Sequence, residues 1–167
     1  MRRLILAVVA LMFAGAVSAQ NYMVIDSERV FKSLASYNNA ITQIEELSTE
    51  YQQLVDNRFQ QVETMYNNYI SRRQSMSESA RHQQEQAILA AEAEAQEYQE
   101  SLFGTDSELM NRRLQLIQPI QEQVFNTIER FAQQNGYDLV IDISANPTVL
   151  YYSTSVDFTD RIIQALR

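Results

Sequence analysis

The chain has 167 residues, and its 13 Lys plus Arg stand against 21 Asp plus Glu for a net charge of −8 at pH 7. So acidic a balance excludes general affinity for nucleic acid, and for anionic lipid through the surface as a whole, because both need a cationic face. Three glycines, a lone histidine (His82) and no cysteine exclude a glycine-rich phosphate cradle, a paired-imidazole zinc site and a thiol nucleophile. No cofactor, no metal and no enzymatic activity are expected.

Arg2 and Arg3 form a short basic head, Leu4 to Phe13 is an unbroken apolar run, and Val17-Ser18-Ala19 supplies small residues where a signal peptidase reads. This is a secretory leader, residues 1–19, and its apolar run is too short to span a membrane. Cleavage is expected between Ala19 and Gln20. Losing Arg2 and Arg3 takes the net charge from −8 to −10. Export without cysteines suits a bacterial periplasm.

Residues 20–167 are expected to form one domain in two parts. Residues 20–35 and 118–167 make a small β-body with short helices, and residues 36–117 make a helical arm. The body opens with a strand signal at Tyr22-Met23-Val24-Ile25-Asp26. From Ser36 to Phe103 there is neither glycine nor proline, and over that length only helix is plausible. Tyr37, Ile41, Ile44, Ser48, Tyr51, Val55, Arg58, Val62, Met65 and Tyr69 step by alternating fours and threes, the seam of a coiled coil.

Four serines between Ser71 and Ser79 compete for backbone hydrogen bonds and predict a reversal, with Ser77 or Ser79 capping the returning helix. Periodicity resumes through Ile88, Ala91, Ala95, Tyr98, Leu102, Thr105 and Leu109 and continues to Phe131. Arms over 36–75 and 77–116 would each be roughly 60 Å long at about 1.5 Å per residue. Gly104 is a possible hinge in the returning arm. Pro119 predicts a kink, since it lacks a donor and clashes with the carbonyl of Gln115. Gly136 should end the helix in the left-handed conformation.

Further strands are expected at Tyr137 to Ile143 and, after a turn at Asn146-Pro147, at Val149 to Tyr152. Asp157 to Asp160 should cap a short last helix with Ile162, Ile163 and Leu166 inward. The fold class is mainly α, a long antiparallel helical hairpin arm projecting from a small β-body. So small a sheet buries too little to offset chain entropy and leaves open edges. Oligomerisation through Val24, Ile25, Val30, Phe31, Leu139, Val140, Ile141, Val149, Leu150 and Tyr151 is therefore expected to complete it.

Two surface features stand out. Phe59, Tyr66, Ile70 and Met76 offer adaptable apolar groups low on the first arm, whereas Met65 and Tyr69 lie on the seam and read as core. Near the tip Arg72, Arg73 and Arg81 face one acid, Glu78, and read either as a solvated tip or as a weak contact for a phosphate-rich membrane surface. His82 reads as a solvated side chain. The pairs Asp138 with Asp142 and Asp157 with Asp160 read as caps rather than as an acid–base constellation.

Val24-Ile25-Asp26-Ser27-Glu28-Arg29-Val30-Phe31, Leu116-Ile117-Gln118-Pro119-Ile120, Asn135-Gly136-Tyr137-Asp138-Leu139-Val140-Ile141-Asp142 and Val156-Asp157-Phe158-Thr159-Asp160 resemble, in order and spacing, the Skp/OmpH periplasmic chaperones. The resemblance covers essentially the whole chain after the leader. It implies a homotrimer whose β-bodies join and whose three helical arms enclose a cavity for unfolded outer-membrane β-barrel proteins, held without ATP. It does not imply the family's general basic surface for lipopolysaccharide, since this chain is acidic. A structural coiled-coil hairpin adaptor of the envelope is the rival. It would need further domains or a lipid-modified cysteine, and the sequence has no cysteine.

Overall fold

The computed structural model describes residues 21–144, 146 and 148–167, so the expected leader with its Ala19–Gln20 junction lies outside the described residues. The elements, in chain order, are β1 (Tyr22–Ile25), α1 (Ser27–Lys32), α2 (Ala35–Arg72), α3 (Glu78–Phe103), α4 (Glu108–Asn135), β2 (Leu139–Asp142) and α5 (Thr159–Ala165). Short 3₁₀ turns lie at Arg73–Ser75 and Thr154–Val156. The chain divides into two compact units, one of residues 34–123 and one of residues 21–33 with Val124–Arg167.

The first unit is the helical hairpin that the two apolar stretches predict. α2 runs for 38 residues and buries Ala40, Ile44, Tyr51, Val55 and Tyr69. Nine of the ten seam residues are buried or half-buried, and Arg58 alone is exposed. Arg58 instead lays its guanidinium over the Tyr98 ring, 3.9 Å from the centroid, so its charge still serves the packing of α2 on α3. α3 returns antiparallel and buries Ile88, Ala95 and Leu102. The densest packing is around Tyr51, Val55 and Leu102, with Leu47, Phe59, Tyr98, Phe103 and Leu109 against them.

The reversal falls where the serines placed it. Ser71 Oγ and Ser75 Oγ donate to the carbonyls of Asn68 (2.9 Å) and Arg72 (2.8 Å), drawing the last turns of α2 out of regular helix. Ser77 then caps α3, its Oγ accepting from the Ala80 N–H at 3.3 Å.

The returning arm departs from expectation. It is not one helix through Leu116, because α3 stops at Phe103 and α4 starts at Glu108. Gly104 is extended at ψ −174°, and the buried Ser107 restarts the helix by accepting from the Met110 N–H at 3.2 Å. A Cβ on Gly104 would sit 2.6 Å from the Glu100 carbonyl oxygen, so glycine is the residue that fits this corner. At Pro119, where a kink is expected, α4 continues as one helix. Proline removes one backbone bond, but the flanking apolar rhythm, with Ile120 and Val124 buried, keeps the helix intact.

In the second unit β1 and β2 pair in parallel, Tyr22 with Leu139 through Ile25 with Asp142. Parallel pairing needs a long crossover, and the chain between the strands supplies it. α4 ends as the sequence requires: Gly136 has φ +69°, and the N–H groups of Gly136 and Tyr137 donate to the carbonyls of Gln133 (3.4 Å) and Ala132 (2.9 Å). Met23, Val24, Val30, Val124, Phe158 and Ile162 form the buried centre. Ile162 faces fully inward, while Ile163 and Leu166 are only half-buried.

The expected third strand is absent. Val149 to Tyr152 is irregular, with Leu150 94% and Tyr151 86% exposed. The second neighbour of β1 is Asp157, bridged to Val24, and the Phe158 N–H donates to the Val24 carbonyl at 2.9 Å. A segment becomes a strand only where an edge accepts its backbone bonds, and on this side of β1 the later segment holds the position.

Candidate functional site

The aspartates serve the fold. Asp26 caps α1, accepting from the Arg29 N–H at 3.0 Å. Asp142 accepts from the Ser27 N–H (3.1 Å), the Ser27 hydroxyl (2.6 Å) and the Ser144 N–H (3.0 Å), joining the end of β2 to the start of α1. Burial opposes the charge on Asp142, but these donors outweigh it and hold the carboxyl below its ordinary range. Asp157 accepts from the Thr159 N–H (3.0 Å) and hydroxyl (2.6 Å), and Asp160 pairs with Arg29 at 2.8 Å on the surface. Asp138 accepts from the Asn21 N–H at 3.4 Å. The expected helix cap at Asp157 to Asp160 is not found, since Phe158 is the N-cap of α5 and has no side-chain cap bond, while Asp138 and Asp142 tie the strands to Asn21 and Ser27. Among the described residues no group of His, Cys, Asp and Glu is arranged to hold a metal.

What remains for function is exposed apolar surface and the charged tip. Tyr66 and Ile70, expected to be free of the seam, are 52% and 48% exposed. Phe59 is a correction: it packs against the Tyr51–Val55–Leu102 cluster, because the seam broadens there to admit a second large side chain. Met76 is half-buried at the turn. Leu89, which sequence reasoning did not single out, is 57% exposed on α3, and its place directly after the seam residue Ile88 was the available signal.

The tip brings Arg73 and Arg81 together. The Arg81 Nε donates to the Arg73 carbonyl at 2.9 Å, and the Arg73 guanidinium lies 6.0 Å from the Tyr69 ring centre. Arg72 is exposed beside them, and no carboxylate lies within ion-pair distance of the three among the described residues. Arg81 thus also ties the turn, a structural role the sequence did not reveal. His82 is exposed beside it.

In the sheet unit Val24, Ile25 and Val30 are buried within the chain itself. Phe31 is half-buried and meets Phe125 edge to face at 6.3 Å. Val140, Ile141 and Val149 are half-buried. The outward group is Tyr22 (47%), Phe125 (56%), Leu139 (56%), Leu150 and Tyr151. Five large side chains in water on a unit this small are an incomplete core. No helix of the described residues is long and apolar enough to cross a membrane.

A long antiparallel helical pair joined in sequence to a two-stranded parallel sheet defines a class of helical-hairpin proteins. The chain belongs to the OmpH family: it matches the family described as outer membrane protein (OmpH-like) over residues 21–166. The same fold is found in a crystal structure from Caulobacter crescentus CB15, named as a candidate outer membrane chaperone (OmpH-like). That structure superposes with a TM-score of 0.69 at 12% identity, covering 89% of this chain and 85% of the other. Among curated proteins none matches this chain.

Proposed function

We propose that this protein is a periplasmic, ATP-independent holdase, exported by a leader cleaved between Ala19 and Gln20, that keeps unfolded outer-membrane β-barrel proteins from aggregating. The working form is a homotrimer in which the sheet units complete one another and the hairpins enclose a client cavity. The observation that carries this reading is exposed apolar surface in both units of a family member, with no reactive site among the described residues. Leu150 and Tyr151 would each contribute about 1.5–3 kcal/mol if covered, which supports association.

On the hairpin, Tyr66, Ile70 and Met76 supply contacts that are weak one by one and strong in sum. Holding without nucleotide needs that kind of exchangeable contact. The Arg72, Arg73 and Arg81 cluster adds at most a weak contact with a phosphate-rich membrane surface. The test dilutes a urea-unfolded β-barrel protein into buffer containing the exported protein and no nucleotide. Light scattering should stay low at stoichiometric trimer. Unchanged aggregation would remove the holding role and leave the envelope adaptor.

A further inference from the structure

Tyr69 and Arg58 fix how α2 and α3 lie on each other, through the Tyr69–Glu85 hydrogen bond and the Arg58–Tyr98 stack. Tyr66, Ile70 and Leu89 each directly follow a seam residue: Met65, Tyr69 and Ile88. One step along a helix turns a side chain by about 100°. In an antiparallel pair both the direction of travel and the apparent sense of turn reverse, so the step leads to the same flank on both helices. All three half-exposed apolar side chains therefore lie on one face of the hairpin. On the opposite flank Leu54, at 39%, is the exposed large apolar residue, and Leu47 is half-buried.

At the positions that directly follow a seam residue, charge has one sign. Asp56, Glu63 and Glu92 also directly follow the seam residues Val55, Val62 and Ala91, and all three are exposed. None is in an ion pair, and Asp56 accepts only from Gln52 Nε2 at 2.8 Å. From His82 to Asn111 the chain has seven carboxylates and no Lys or Arg. The cations of the hairpin lie elsewhere: Arg58 on the Tyr98 ring, Arg72, Arg73 and Arg81 at the tip, and Arg112 and Arg113 on α4.

From this we infer that the Tyr66–Ile70–Leu89 face is a docking surface for unfolded segments in which apolar residues alternate with Lys or Arg. This rests on the holdase reading and gives the class of segment held. Apolar contact alone would accept any unfolded chain. Asp56, Glu63 and Glu92 among the apolar groups repel acidic segments and attract basic ones, so discrimination comes from charge while contact comes from the apolar groups.

Two unstructured peptides of the same apolar composition, one interspersed with lysine and one with glutamate, test this by fluorescence anisotropy with the exported protein. At low ionic strength the lysine peptide should bind about tenfold more tightly, the scale that three exposed charge pairs can reach. The ratio should fall toward one at about 1 M salt, where the screening length is about 3 Å. The Glu63→Gln/Glu92→Gln pair should reduce the ratio several-fold, and Leu89→Ser should weaken both peptides alike. Equal binding, preference for the glutamate peptide, binding of neither, or a lysine preference untouched by these variants would each overturn the inference. A β-barrel protein kept soluble while the peptides bind alike removes only this face. A barrel protein that aggregates while the peptides are discriminated removes the holding role and keeps the face.

Discussion

The Tyr69 hydroxyl donates to the Glu85 carboxylate, sixteen residues away and across the serine-rich reversal. The bond locks the register of the hairpin at one end, and the Tyr51–Phe103 edge contact at 6.4 Å locks it at the other. Tyr51 lies near Glu108 at the start of α4, and that carboxylate adds to the upward shift of its phenol. Each of these two seam phenols is thus raised by a carboxylate of the returning arm.

A dependence on alkaline pH follows. The Tyr69 phenol is raised above its ordinary value mainly by the bond to Glu85, and the Tyr51 phenol mainly by burial and then by Glu108. A phenol with a raised folded-state value contributes fully below about pH 10, and its contribution is lost as pH rises through the folded value. The urea midpoint of the hairpin should therefore fall above pH 10. Tyr51→Phe with Tyr69→Phe should flatten that fall, and an unchanged slope in the double variant would count against the assignment.

At the other end of the pH range, Asp142 has the opposite sign. Its lowered value means that its contribution is present above about pH 4 and is lost as pH falls through the folded value. Asp142→Asn should lower the thermal midpoint at pH 7, and the gap from the parent should close below pH 4. A gap that persists at pH 2 would assign the loss to packing instead.

Core and surface positions on the hairpin should separate cleanly. Leu102→Ala opens a cavity in the tightest cluster and should cost about 2–5 kcal/mol in chemical denaturation. Ile70→Ser, at a half-exposed position, should stay within about 0.5 kcal/mol while reducing client holding. Comparable losses from the two would erase the distinction between seam and docking face.

Gly104→Ala places a methyl 2.6 Å from a backbone oxygen that cannot swing away, and should cost about 1–3 kcal/mol. Hydrogen exchange should show faster exchange at 103–107 in the variant. A gain in stability would mean that α3 and α4 can merge into one helix.

If the proposed trimer forms through the sheet units, Leu150→Ser with Tyr151→Ser should lower the sedimentation mass to that of a monomer. Neither side chain is buried within the chain, so the circular dichroism of the helices should be retained. A trimer that survives the double change would place the subunit contact elsewhere.

How much of this was legible beforehand depends on range. The seam from Tyr37 to Tyr69, the serine reversal with its Ser77 cap and the left-handed stop at Gly136 are set within a few residues by periodicity, capping and φ freedom, and each lies where the sequence places it. Leu89 follows the seam residue Ile88 as Tyr66 follows Met65 and Ile70 follows Tyr69, so its exposure was legible by the same rule.

What the sequence by itself determined is therefore the helical hairpin, its turn with the Ser77 cap and the stop at Gly136, because bonds and side chains within one or two turns decide them. The tertiary structure alone decided that Phe158, not Tyr151, joins Val24, and showed that α3 and α4 part between Phe103 and Glu108. It also showed that α4 passes through Pro119 unbroken. Those outcomes turn on which of several competing partners reaches a given backbone group first, and in the sheet those partners are more than a hundred residues apart in the chain.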